Sequence, residues 1–250
     1  MKVHYQKQLR FALVLIFWLL VWQGIAMIIN KEILVPTPIV VLERLGVLIS
    51  ENYFWLAIGT SLLRVALGLI IGTIVGIIIA FLTYKFKTAS ALLKPVMHFA
   101  KATPVASFII LAIIWINVGN VPILTSALIV LPTIWANVEK GLYSIDKSYL
   151  ELAKAFKMSR PKILRKIVIP SVKPYFLAAM NVAVGMAWKA GIAAEVIAPY
   201  KESIGAALYN SKIYLETTDL FAWTLLVVLL SILVEKFILF LIKREGRFHA

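Results

Sequence analysis

Cysteine is absent from the 250 residues, which removes disulfides, iron–sulfur clusters and thiolate zinc sites from consideration. Histidine is almost absent too: His4, His98 and His249 are the whole complement, and two of them stand in the tails. There is no Walker-type glycine loop and no visible catalytic constellation. The chain is therefore expected not to be an enzyme and to bind no cofactor or metal itself. Acidic residues are scarce, 12 Asp and Glu against 26 Lys and Arg, for a net charge of +14. A nucleic-acid surface would need those basic residues on one soluble face. Here they fall mostly between apolar runs.

What the sequence has in abundance is hydrocarbon. Hydrophobic residues make up 62% and the mean hydropathy is +0.92, far above a soluble domain, and several apolar runs approach the roughly 20 residues a spanning helix needs. The fold class expected is all-α: a polytopic membrane protein, one transmembrane domain over residues 1–250 with spans near 11–29, 54–84, 91–116, 121–138, 175–198 and 220–242. The opening MKVHYQKQLR followed by FALVLIFWLLVWQGIAMII has the charge of a signal peptide, but its apolar run is too long and no small-residue cleavage site follows. It reads as an uncleaved first span.

Local signals punctuate these spans. Pro36 and Pro38 precede IVVLERLGVLI, a short amphipathic helix expected to lie on the outer face. The second span is longer than a bilayer requires and should tilt or protrude. Gly68, Gly72 and Gly76 recur along it, a small-xxx-small stripe for close helix packing. Pro95 and Pro104 fall in the third span, which should break near Thr103. Pro132 lies inside the fourth.

One polar interval stands apart. Residues 139–173 hold nine Lys and Arg against Glu139, Asp146 and Glu151, so the interval should sit in water. Ser148 and Glu151 fit a capping box for a helix starting at Tyr149, with Leu152, Ala155 and Phe156 on one apolar face. Ser159, with Pro161 after it, should open a second helix ended or kinked at Pro170. Six spans place this interval on the same side as both termini. That side carries 18 basic residues and the other only four (Lys31, Arg44, Lys201 and Lys212). The positive-inside rule makes it cytoplasmic, in a multi-pass plasma-membrane (cell inner membrane) protein.

Glu151, Ala153, Ile167, Ile169 and Pro170, in ELAKAFKMSRPKILRKIVIP, resemble the signature loop of the membrane subunits of ATP-binding-cassette importers. Leu152, Lys157 and Ile169 depart from it, standing where the family has alanine, glycine and leucine. The lysine at the glycine position calls for a different turn. KATPVASFIILAIIWINVG, LPTIWANVEKGLYSID and GMAWKAGIAAEVIA resemble the nitrate, sulfonate and taurine group of these permeases, so that the resemblance covers most of the chain from Pro36 to Asp219. It implies a type I importer permease fold working as a homodimer, with two ATPase subunits below that carry ATP and Mg, and a substrate-binding protein above. It also implies that Glu151, Leu152, Ala153, Ala155 and Phe156 dock on the ATPase, with Lys157 and Pro170 shaping the loop.

Four ionisable residues lie in or near apolar sequence: Arg64, Lys101, Lys189 and Glu195. Charge inside a membrane is costly and points to a function or a partner. Lys189 has two readings. Facing a cavity on the dimer axis it favours a small anion; alternatively Glu195, of the same or the other subunit, neutralises it. Glu195 also reads as a gate residue, and Ser107 as a polar group on the path or an interhelical hydrogen-bond partner, like Asn181. Arg64 and Lys101 read as snorkelling or helix-tethering groups. Trp115 suits an interfacial belt and Trp135 and Trp188 suit helix packing, in preference to a substrate cage. The expected function is thus ATP-driven import of a small anion such as nitrate, a sulfonate or taurine. The same machine with a neutral or cationic cargo, such as a thiamine-precursor pyrimidine, and an ATPase-independent transporter or channel are the alternatives.

Overall fold

A computed structural model describes residues 2–247; the end of the basic tail, with His249, lies outside the described residues. Among them there are helices and no strands. The order is α1 (Lys2–Ile29), α2 (Pro38–Ile49), α3 (Asn52–Lys85), α4 (Lys87–Ala102), α5 (Val105–Trp115), α6 (Val121–Tyr143), α7 (Lys147–Ala155), α8 (Arg160–Ile163), α9 (Ile169–Ile197), α10 (Ile204–Ile213) and α11 (Thr217–Arg247). Five helical stretches are long and apolar enough to cross a membrane, and the bent pair α4–α5 makes a sixth if taken as one span.

The core is α3, α6 and α9 packed together, and the glycine stripe explains how closely. A β-carbon on Gly68 would stand 2.5 Å from the Ile123 carbonyl, and one on Gly72 would stand 2.6 Å from that of Ala127. Gly76 lies against Leu131 and Ile134 in the same way. Only a missing side chain lets the two backbones approach this far. Gly191 on α9 completes the junction against Val65 and Ser126. The Ser126 hydroxyl donates to the Ala187 carbonyl at 3.1 Å. By contrast α1 leaves Leu13, Trp18, Leu20 and Ile28 exposed. Its ties to the rest include Trp22, which donates to the Pro36 carbonyl at 3.1 Å and stacks on Phe221.

Two boundaries differ from the sequence expectation, while the break expected near Thr103 is present. There α4 and α5 meet at 106°, because Pro104 has no N–H for the ladder and holds Thr103 extended. The fourth helix runs on to Tyr143, so the polar interval starts inside it. Glu139 is accordingly buried, its carboxylate 3.3 Å from Lys94 Nζ, instead of lying in water. Pro170 does not end the helix. The chain is helical without interruption from Arg160 to Ile197, because a π turn over Leu164–Val168 sends the Ile169 N–H to the Leu164 carbonyl. That extra residue in the ladder absorbs the proline.

Candidate coupling and translocation sites

The α7 helix hangs from the end of α6 on a turn capped by Asp146. Its carboxylate accepts from the Ser148 backbone N–H at 2.9 Å and from the Ser148 hydroxyl at 2.8 Å. These two bonds hold the Asp146 carboxyl below the usual carboxylate range, the backbone N–H contributing most. The cap is therefore Asp146 and not Ser148, and the helix starts at Lys147; the capping box fails because Asp146 already satisfies the serine.

On this helix Leu150 packs against the core and Ala153 is 1% exposed. Tyr149, Leu152 and Phe156, at i, i+3 and i+7, point away from the chain, and Phe156 is 77% exposed. Glu151, Ala155 and Lys157 are exposed beside them. Of the residues assigned to docking, Ala153 alone thus faces inward and holds the helix in place.

Lys157 solves the missing glycine by adopting φ 49°. The Lys157 N–H then bonds the Lys154 carbonyl and the Met158 N–H the Ala153 carbonyl, each at 2.9 Å, the two bonds that close a helix on a left-handed residue. Ser159 and Pro161 open the next helix, with no bond from the Ser159 side chain.

At the far end of the bundle Glu195 is fully buried. It accepts from the Ser61 hydroxyl at 2.7 Å and from the Gly205 N–H at 3.1 Å. Arg64 Nη1 lies 3.6 Å from its other oxygen, with the guanidinium 4.8 Å over the Tyr200 ring. Ser61 in turn accepts from the Ile204 N–H at 3.0 Å. One carboxylate therefore ties α3, α9 and the start of α10 together.

Lys189 does not join this cluster. Six residues along a helix turn the side chain about 120° away, and it emerges on the exposed side of α9. The intrachain Lys189–Glu195 pair is thus replaced by Arg64–Glu195. Around Lys189 the same side presents Ala178, Val182 and Met186 as exposed residues, and no atom would meet a β-carbon on Gly185 within 4 Å. Ser107, Asn181 and Lys101 are also exposed, so Ser107 and Asn181 are not buried between helices as a hydrogen-bonding role would require. Trp135 donates to the Thr83 hydroxyl at 3.1 Å and Trp188 to the Val227 carbonyl at 3.2 Å. Both are buried in the packing, which leaves no aromatic cage; Trp115 is 69% exposed. Sequence reasoning missed Ser61, Tyr200 and Gly205. The available signal was Ser61 and Arg64 at i, i+3 on an otherwise apolar helix.

Residues 72–245 match the family described as the binding-protein-dependent transport system inner membrane component. The bicarbonate transport system permease protein CmpB of Synechococcus elongatus is 27% identical over 80% of this chain and 71% of its own. The taurine transport system permease protein TauC of Escherichia coli is 23% identical over 87% of this chain and 81% of its own. Among solved structures, a bacterial ABC transporter that imports the acidic polysaccharide alginate superposes with a TM-score of 0.67 at 15% identity, covering 97% of this chain and 98% of that one.

Proposed function

Since the chain belongs to the binding-protein-dependent transport system inner membrane components, and is thereby the permease subunit of an ABC importer, we propose that two copies line a path for a small anion which partner ATPases open and close through α7. The observation that carries this reading is the outward apolar face of Tyr149, Leu152 and Phe156 on a helix whose other exposed residues include Lys147, Glu151 and Lys154, with Lys157 exposed just after it. An exposed apolar patch rimmed by charge marks a contact surface. The partner that fits is a cytoplasmic ATPase subunit, which holds the ATP and Mg.

The mechanism follows from the covalent path. The helix that begins just after α7 runs unbroken to Ile197, a distance of about 55 Å at 1.5 Å per residue. Movement of α7 is therefore delivered to Lys189 and Glu195 as motion of a rod, with Leu150 and Ala153 fixing the near end to the core. The exposed side of α9 around Lys189 faces the second copy. There the ammonium attracts an anion handed over by the substrate-binding protein on the opposite membrane surface. The relatives named for bicarbonate and for taurine, whose sulfonate is anionic, support a small cargo with an anionic group. The positive-inside count supports a cytoplasmic side for α7 and both termini.

The test is uptake by vesicles containing the protein, its ATPase and its binding protein. Phe156→Ala should cut ATP-dependent uptake by about tenfold or more, while Leu150-side packing and the thermal midpoint stay unchanged, since a residue this exposed contributes little to folding. Uptake at the wild-type rate, or uptake by the protein alone under an ion gradient, would overturn the proposal.

A further inference from the structure

At the end of the bundle from which α7 projects, a cleft of about 650 Å³ opens between the last turn of α3, the first turns of α4 and the last turn of α6. Lys85, Lys87 and Lys94 line it together with Tyr84, Ser90 and Tyr143. Glu139 neutralises Lys94 at 3.3 Å. Among the described residues no carboxylate comes within 4.0 Å of Lys85 or Lys87. Two cations thus converge on one concavity with no acidic partner.

The walls say where the cleft sits. Tyr84 and Tyr143 meet edge to face at 5.1 Å where the apolar runs of α3 and α6 end, the level at which amphipathic aromatics mark a membrane surface. The α4 helix is two-sided. Lys87, Ser90 and Lys94 face the cleft, while Leu92, Val96 and Phe99, at i, i+4 and i+7, are exposed on another face. A helix built this way lies in the interface with its apolar side among acyl chains.

We propose that this cleft holds the phosphate of an anionic phospholipid headgroup, with Lys85 and Lys87 contacting the phosphate and Ser90 donating to it, while the Leu92, Val96 and Phe99 face of α4 keeps the helix at headgroup level. Basic pockets between transmembrane helices take such headgroups. A free phosphate satisfies the same lysines, but the apolar face of α4 holds the cleft at the level where lipid headgroups lie. The proposal rests on membrane placement alone and does not depend on α7 docking.

The experiment is native mass spectrometry of the full-length protein in neutral detergent, titrated separately with phosphatidylglycerol, phosphatidylcholine and inorganic phosphate. Phosphatidylglycerol should be retained at least about tenfold more strongly than phosphatidylcholine. The double substitution Lys85→Ala, Lys87→Ala should weaken retention about 30-fold, at about fivefold per lysine, and the Lys→Arg pair should restore it. Equal retention of the two lipids, unchanged retention in the alanine variant, or binding of phosphate alone with no preference for the charged lipid would each overturn the proposal. The comparison of lipids on the unaltered protein decides the matter even if the alanine variant does not fold. Loss of transport in Phe156→Ala with lipid retention intact separates this site from the coupling helix.

Discussion

Gly205 and Glu195 touch backbone to side chain across the end of the bundle opposite α7: the Gly205 N–H donates to Glu195 Oε2 at 3.1 Å, and a β-carbon on Gly205 would stand 2.1 Å from Glu195 Cβ. The glycine is there for space, since its φ is not positive. Gly205→Ala must push α10 off α9 and strand the carboxylate. It should destabilise the protein by about 3 kcal/mol, read as a lowered thermal midpoint in detergent. Gly185→Ala, where a β-carbon meets nothing within 4 Å, is the matched control and should leave the midpoint unchanged or slightly raised. Equal midpoints for the two variants would contradict the packing described.

Lys157 holds a left-handed conformation at φ 49° that costs an L-residue about 1 kcal/mol and costs glycine almost nothing. Lys157→Gly should therefore raise stability by up to about 1 kcal/mol without moving α7, a gain visible in chemical denaturation. A loss of stability would mean that the lysine side chain makes a contact worth more than the backbone strain.

The Asp146 cap makes α7 sensitive to acid. Its carboxyl is held below the ordinary aspartate range in the folded chain by the Ser148 N–H and hydroxyl. The cap's contribution is thus fully present above the unfolded aspartate value and is lost as pH falls through the lower folded one. Amide hydrogen exchange in residues 147–155 should be flat from neutral pH down to about 5, after correction for intrinsic rates, and rise only in stronger acid. Asp146→Asn should abolish that acid-dependent step; a step that survives the substitution assigns it to another group.

Lys189 is exposed on α9, so inverting its charge should disturb passage of an anion far more than folding. Lys189→Glu is expected to reduce uptake of an anionic solute by about tenfold or more, each factor of ten being about 1.4 kcal/mol, with the thermal midpoint unchanged. Normal uptake in the variant would remove Lys189 from the path. A collapse of the midpoint would show that the lysine pairs structurally with the second copy.

Much of this was legible one residue at a time. In hydrocarbon every backbone group must be satisfied within its own segment, so span length, hydropathy and the break at Pro104 are local properties that a sequence displays openly. The stripe of Gly68, Gly72 and Gly76 and the isolated apolar positions of the 139–173 interval are likewise periodicities along a single helix. What stayed hidden required two distant segments or a competition between neighbours. Asp146 took the cap because its carboxylate accepts from both the N–H and the hydroxyl of Ser148, which engages the hydroxyl a capping box would use. Ala153 turned inward because α7 leans on the core through Leu150, and Pro170 was absorbed because the ladder before it widened by one residue.

By itself the sequence determined that the chain is a bundle of membrane helices with one long basic interval between its fourth and fifth spans, since the solvent sets length and composition segment by segment. Only the tertiary structure decided which charges are partners. Arg64, not Lys189, answers Glu195, because helix phase and close packing through glycine, neither of which depends on separation along the chain, determine what a buried carboxylate meets.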